Sequence, residues 1–326
     1  MMEYRKVEGL GMPVSRLVFG TASPAFIRGE DTGSILDEAL KAGITMLDTA
    51  RNYGMSEKSI GDWMRSRKNR EKVLILSKCA HPDGEGRKRV SEKEIRRDFA
   101  ESSRMLRTDT IDLYLLHRDD PEVEAGEVVE IFNALLREGK IRAYGASNWT
   151  HERIQAANDY AAAHHLVPFA VSSPHFSLAR QQADPWGGGC VSLTGAENAS
   201  ARAWYRTNGM PVIAYSSLCR GLLSGRIRST DMDRAAEILD GPGMKGYGCR
   251  DNFERLARCE KLAEQKKCSV AQLAMAWLYR QDLNTFAVAT MSSAARIQEN
   301  VQAFSVPLTS AECRYLNLEA DCAEEA

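Results

Sequence analysis

Short apolar runs alternate along this chain with longer segments whose apolar residues recur every three or four positions. Eight runs read as strands: Leu17–Gly20, Ile44–Leu47, Val73–Ser77, Ile111–Leu116, Ile141–Ala146, Phe169–Ser172, Val212–Tyr215 and Thr285–Ala289. None alternates strictly, which is the pattern of strands covered on both faces. Between them, Ile35, Leu36, Ala39 and Leu40 form a helical stripe. Ile95, Phe99, Ser102 and Leu106 form another, and Val128, Ile131, Phe132 and Leu135 a third. Ser91 with Glu94 three residues on is a capping-box signature opening the second stripe. Gly139 stands where the third should be capped. Repeated strand–helix units of this kind predict an α/β fold, a (β/α)8 TIM barrel, as one domain over residues 1–326. Tyr4–Val7 and Pro13–Ser15, around a turn at Glu8–Gly11, predict a β-hairpin that plugs the barrel bottom. The stretch after Thr309 predicts a closing helix. Two long connections, 179–203 and 226–252, follow strands on the side where barrel loops carry function, so both are expected to be lids or specificity loops.

Composition narrows the partners. The chain has 326 residues, a formal charge of −1 and 44% hydrophobic residues, enough for a large core without the basic excess of a nucleic-acid or membrane-surface binder. No apolar run approaches the roughly 20 residues that span a bilayer. The N-terminus, Met-Met-Glu-Tyr-Arg-Lys, lacks an apolar signal core. The eight cysteines include no Cys-x-x-Cys pair, which favours reduced thiols, a cytoplasmic location and no zinc site. The sequence carries no signal for oligomeric state.

The candidate chemistry sits at strand C-termini. Asp48 and Tyr53 follow the second run, Lys78 ends the third and His117 ends the fourth. In a barrel, that rim is where catalytic groups gather. Taken singly, each has a plain structural reading: Asp48 as a helix cap, Tyr53 as a packing aromatic, Lys78 as a surface charge, His117 as a satisfied core histidine. Together they form a proton-transfer set. An ammonium about 4 Å from a phenol contributes on the order of 4 kcal/mol toward the phenolate at an effective dielectric near 20, so Lys78 is expected to draw Tyr53 toward neutral pH. Gly241-Pro-Gly-Met-Lys-Gly246 fits G-x-G-x-x-G by letter, but it follows a helix-like stretch at Ala235–Leu239 instead of a strand. A flexible lid is the better expectation there. His164-His165 and His117-Arg-Asp-Asp120 lack fixed-spacing partners, so no metal site is expected.

Leu47-Asp-Thr-Ala-Arg-Asn-Tyr-Gly54, Ser77-Lys78, Asp112-Leu-Tyr-Leu-Leu-His117, Gly139-Lys-Ile-Arg-Ala-Tyr-Gly-Ala-Ser-Asn148 and Ala214-Tyr-Ser-Ser-Leu218, in that order, resemble the aldo-keto reductase family. The resemblance runs from about Arg5 to Phe304. It implies a barrel oxidoreductase that transfers a hydride between NADP(H) and an aldehyde, a ketone or the corresponding alcohol, its small-molecule substrate. It implies a catalytic set of Asp48, Tyr53, Lys78 and His117, with Tyr53 as general acid. It places Ser147, Asn148 and Ser173 at the nicotinamide carboxamide, and Tyr215 against the nicotinamide ring. Gly20 and Thr21 fall near the ribose, and Ser216 and Leu218 in the pyrophosphate turn. Arg296, Glu299 and Asn300 match the segment that grips the adenosine 2′-phosphate and adenine. Two departures matter. Ser173 stands where the family often has Gln, and Ala289-Thr-Met291 replaces the frequent Pro-Lys-Ser. NADP(H) is favoured by the resemblance; with one cation lost, NAD(H) stays open. Ala22 and Cys79 are expected to leave room for substrate, with Trp149, Trp186 and Tyr247 as walls. The alternative function is a cofactor-binding regulatory or sensor subunit with little turnover.

Overall fold

The computed structural model describes residues 1–323. A two-stranded antiparallel hairpin, β1 (Tyr4–Arg5) and β2 (Val14–Ser15), precedes eight strands. These are β3 (Leu17–Gly20), β4 (Met46–Asp48), β5 (Leu74–Cys79), β6 (Ile111–Leu116), β7 (Ile141–Ser147), β8 (Val171–Ser173), β9 (Val212–Ala214) and β10 (Thr285–Ala289). Each is parallel to its neighbours, and β10 pairs with β3 to close the cylinder. The expected (β/α)8 barrel is therefore present.

The period-two rule explains the two cores. Val18, Met46, Leu74, Leu76, Leu113, Leu115, Ile213, Phe286 and Val288 point inward and fill the barrel. Their neighbours in sequence, such as Phe19, Leu47, Ile75, Tyr114 and Leu116, point outward into the helix layer. The hairpin does plug the bottom: Val7 and Val14 belong to the inner core, with Leu10 and Met12 packed against it. Gly9 makes this approach possible. It has φ +79°, and a Cβ there would lie 2.8 Å from the Arg142 carbonyl oxygen. Arg16 closes the seam below, meeting Glu3 at 2.7 Å and donating to the Thr285 carbonyl at 3.1 Å.

The helical stripes form helices Gly33–Lys41, Glu92–Leu106 and Ala125–Arg137. Gly139 follows the last of these at φ +70°. The capping box is only half made. Ser91 Oγ accepts from Glu94 N at 3.3 Å, but the Glu94 carboxylate turns to Arg89 instead of back to the cap. A guanidinium gives it a stronger charge-assisted partner than a neutral N–H. Thr309 caps the closing helix Ser310–Leu316 with both halves of its box.

Four strands end later than the apolar runs predict: β4 includes Asp48, β5 includes Lys78 and Cys79, β7 includes Ser147, and β8 includes Ser173. Polar residues interrupt the hydrophobic pattern, yet the backbone ladder continues through them. Tyr215 lies one residue beyond β9, held by an isolated bridge to His175. The 179–203 connection leads into helix Ala199–Asn208, and the 226–252 connection folds into short helices.

His175 anchors the first of these connections. It is fully buried between Ser192 Oγ at 2.9 Å and Ser177 Oγ at 3.0 Å, and burial lowers its pKa from 6.5 to about 3. The unfolded chain takes up this proton below pH 6.5 while the folded chain refuses it. The stability His175 contributes is thus fully present above 6.5 and lost as pH falls. Between pH 6 and pH 4, His175→Gln should lose about 2.5 kcal/mol less stability than the parent protein, at about 1.4 kcal/mol per unit. Urea unfolding at both pH values measures this, and parallel losses would contradict it.

Candidate active site

Three strand ends bring the four residues of the predicted proton-transfer set to one mouth. Asp48 closes β4, Lys78 lies one residue from the end of β5, and His117 follows β6. Tyr53 sits in the turn between β4 and helix Ser56–Arg67. That turn is pinned across the strand ends, with Arg51 N donating to the Lys78 carbonyl at 3.1 Å and Tyr53 N to the Ala50 carbonyl at 3.0 Å. Lys78 Nζ donates to Asp48 Oδ1 at 2.5 Å and to the Thr49 carbonyl at 2.8 Å. The same ammonium stands 5.0 Å from the centre of the Tyr53 ring. The His117 ring meets Tyr53 edge-on, with centroids 5.8 Å apart.

These contacts replace the single-residue readings. Lys78 is buried and paired, so it is no surface charge; Asp48 is its counter-ion, not a helix cap. His117 is buried, and its Nδ1 has no hydrogen-bond partner among the described residues, so it is not a satisfied core histidine. Burial raises Asp48, while the Asp48 charge holds Lys78 above its usual value against its own desolvation. Burial, then Lys78, His81 and Arg118, depress His117 well below 6.5, which makes it a neutral imidazole. Tyr53 differs from expectation. Lys78 does draw the phenol downward, but desolvation outweighs it and leaves Tyr53 above 10, a protonated phenol.

The cleft around these groups has a volume of about 810 Å³. Gly20, Asp48, Tyr53, Lys78, His117, Ser147, Asn148, Tyr215, Ser216, Leu218, Arg296, Glu299 and Asn300 all line it. Gly20 keeps β3 close to β10, because a Cβ there would lie 2.9 Å from Val288 Cγ1. Asn148, at φ +60°, is the hub of the β7 end. Its Oδ1 accepts from Tyr215 Oη at 2.7 Å and from Val191 N at 3.1 Å, and its Nδ2 donates to Ser147 Oγ at 2.9 Å. Ser216, Cys219 and Arg220 adopt positive φ in a tight turn after β9. Arg296 pairs with Glu299 at 2.7 Å on helix Ala294–Gln302, which Ser293 caps.

Two expected positions lie off the cleft wall. Thr21 is buried and donates from Oγ1 to the Asp48 carbonyl at 2.9 Å. Ser173 is buried and donates to the Ile213 carbonyl at 2.9 Å, while its own carbonyl accepts from Ser147 Oγ. Both brace neighbouring strand ends. Of the expected walls, Trp186 lines the cleft with Arg220 stacked 4.6 Å from its ring. Trp149 is buried against Phe169 and Arg153, and Tyr247 against His175. Ala22 lines the cleft. Sequence reasoning missed His81, Arg118, Asn52 and Arg226, which also line it. The available signal was position: His81 and Arg118 directly follow strands that deliver Lys78 and His117.

Gly241-Pro-Gly-Met-Lys-Gly246 forms part of helix Gly241–Tyr247, capped by Asp240 and preceded by no strand, so the dinucleotide-fold reading fails on structure as well. Asp240 ties this helix to Arg220 at the cleft mouth. Among the described residues no cluster of metal-ligating side chains occurs and no helix is long and apolar enough to cross a membrane.

A protonated phenol and a neutral imidazole facing one space, backed by a fixed ion pair, suit proton delivery to an oxygen. The cleft extends from these groups past Tyr215 to an arginine-bearing helix N-terminus, where phosphate is favoured. The donor set therefore fits a nicotinamide dinucleotide.

Residues 16–318 match the model of the aldo/keto reductase family. The chain is 28% identical to the uncharacterized oxidoreductase YrpG of Bacillus subtilis, over 97% of this chain and 95% of that protein. It is 26% identical to the NADH-specific methylglyoxal reductase of Escherichia coli, over 95% and 96% of the two chains. It is 25% identical to that organism's L-glyceraldehyde 3-phosphate reductase, over 85% and 79%.

Proposed function

This chain belongs to the aldo-keto reductase family, and from that premise we propose that it reduces an aldehyde or ketone, or oxidises the corresponding alcohol, with Tyr53 as general acid or base. The observation that carries the proposal is the Lys78 ammonium, bound to Asp48 at 2.5 Å and 5.0 Å from the Tyr53 ring. A nicotinamide dinucleotide, when bound, supplies the hydride. Asn148, Ser147 and Tyr215 would hold its nicotinamide end, Ser216 and Leu218 its pyrophosphate, and Arg296, Glu299 and Asn300 its adenosine end. Tyr53 delivers the proton to the substrate oxygen. His117, neutral, orients that oxygen by a hydrogen bond. Lys78 and Asp48 hold the phenol in place and keep its environment electrostatically balanced. The roles of Thr21 and Ser173 are then to fix Asp48 and Ser147 from behind.

We favour NADPH over NADH because Arg296 remains to meet a 2′-phosphate. Its pairing with Glu299 and the absence of Lys after β10 limit the expected preference to about 10-fold, the worth of one partly exposed charge-assisted contact. Fluorescence quenching with each cofactor measures it, and Arg296→Leu should bring the two affinities level. Equal affinities in the parent protein would refute the preference. The preferred cofactor is then run against a panel of aldehydes and ketones. Tight binding with no turnover would favour a sensor subunit instead.

A further inference from the structure

Arg118 lines the cleft but has no part in the proton-transfer set. It follows His117 directly after β6 and is 9% exposed. Its guanidinium makes no ion pair and no hydrogen bond among the described residues. Other deeply placed arginines are compensated. Arg16, 4% exposed, meets Glu3 at 2.7 Å and backbone carbonyls as well. Arg153 meets Asp119 at 2.7 Å. The Arg118 nitrogens open onto the cleft, since none of them is a buried atom without a partner. A guanidinium fixed at the cleft wall with no protein anion of its own is placed to take one from a ligand.

The surroundings leave that charge standing. Lys78 is neutralised by Asp48. His81 and His117 are both held below their usual pKa and face the cleft neutral. Asp184 feels the Arg118 charge but forms no ion pair with it; its carboxylate oxygens accept from Trp186 N at 2.7 Å and Cys190 N at 2.8 Å. Arg118 lines the same cleft as Tyr53, His81, His117 and Tyr215 and acts electrostatically on each, so an anion held by it would share the cleft with the proton donor. Dinucleotide phosphates do not account for it. Arg296 follows β10, four strands round the barrel from β6, and Arg220 and Arg226 follow β9.

We propose that Arg118 binds an anionic group, a carboxylate or a phosphate, carried by the carbonyl substrate. This rests on the reductase reading and adds the charge class of its substrate. The planar guanidinium fork suits two parallel hydrogen bonds to either oxyanion, and would hold the carbonyl end of a short molecule under Tyr53 and His117.

The test compares 4-oxobutanoate with its methyl ester, and glyceraldehyde 3-phosphate with glyceraldehyde. The parent protein should favour the charged member of at least one pair by about 100-fold in kcat/KM, carried mainly in KM, and the pair that responds identifies the anion. Arg118→Met should collapse that ratio to near one, and Arg118→Lys should leave about one-tenth of it. A ratio near one in both pairs for the parent protein, or a ratio that survives Arg118→Met in a protein with an unchanged melting curve, overturns the proposal. Binding is read separately, by tryptophan fluorescence of the NADPH-loaded protein titrated with succinate and with inorganic phosphate, since Trp186 lines the same cleft. If no carbonyl is turned over, Arg118-dependent binding of either anion keeps the site while the reductase reading falls. Its absence overturns the site.

Discussion

Tyr53→Phe lowers kcat/KM for carbonyl reduction by about 1,000-fold, within the range that a positioned general acid supplies, while NADPH quenching stays close to that of the parent protein. The size follows from how few protons the cleft can give. His117 is neutral, so protonating the substrate from it would require an anionic imidazole. Lys78 has donors committed to Asp48 Oδ1 and the Thr49 carbonyl. The Tyr53 phenol is the group that is protonated at neutral pH and faces the open cleft. Losing one hydroxyl from a half-buried ring should cost little stability, so the loss falls on turnover and not on folding. The pH profile follows from the same shifts. With Tyr53 above 10 and His117 far below 6.5, neither group changes charge between pH 6.5 and 9, and the parent reduction rate should be level there. Steady-state kinetics across that window, with quenching titrations of both proteins, decide the matter. A Tyr53→Phe variant within 10-fold of the parent would remove Tyr53 from its proposed role, and an inflection near 6.5 would overturn the charge states of Tyr53 and His117.

How much of this could be read from residues alone depended on what each residue packs against. Strands such as Leu17–Gly20 and Thr285–Ala289 were legible to the residue because apolar side chains cover both faces and the run ends where the ladder ends. At β4, β5, β7 and β8 the apolar run stops early. Asp48, Lys78, Ser147 and Ser173 satisfy their polar atoms within the rim, through one another or neighbouring carbonyls, so the backbone stays in the sheet. Periodicity cannot register that compensation, because it resides in partners tens of residues away. The four-residue constellation was legible since successive strands of a barrel deliver their ends to one rim. Its electrostatics were not. The Coulomb effect of Lys78 on Tyr53 was read with the right sign, but desolvation, which exceeds it, depends on enclosure by the whole barrel. Arg118 went unread for a related reason: a sequence shows that an arginine follows a histidine, but not that every carboxylate nearby is already engaged.

Lys78→Met tests that enclosure directly and should be the most damaging single change at the rim. It removes the ammonium 2.5 Å from Asp48 and leaves a carboxylate that is 6% exposed with no counter-charge. Breaking one side of a buried pair costs about 3–5 kcal/mol, because the remaining charge keeps its desolvation penalty. Urea unfolding at pH 7 should show that loss, and turnover should fall at least as far as in Tyr53→Phe. Asp48 then has a route of partial relief. Its pKa, already raised by burial, rises further once Lys78 no longer opposes the shift. The folded variant therefore binds a proton that the unfolded chain releases above about 3.9, so its stability deficit should shrink as pH falls from 7 toward 5. Adding Asp48→Asn removes the stranded charge and should recover part of the stability at pH 7 without recovering turnover, since the cation beside the phenol is still missing. A Lys78→Met deficit below about 1 kcal/mol would place the pair in the range of solvent-screened surface bridges. Full turnover in the doubly substituted protein would mean that proton delivery from Tyr53 needs neither charge.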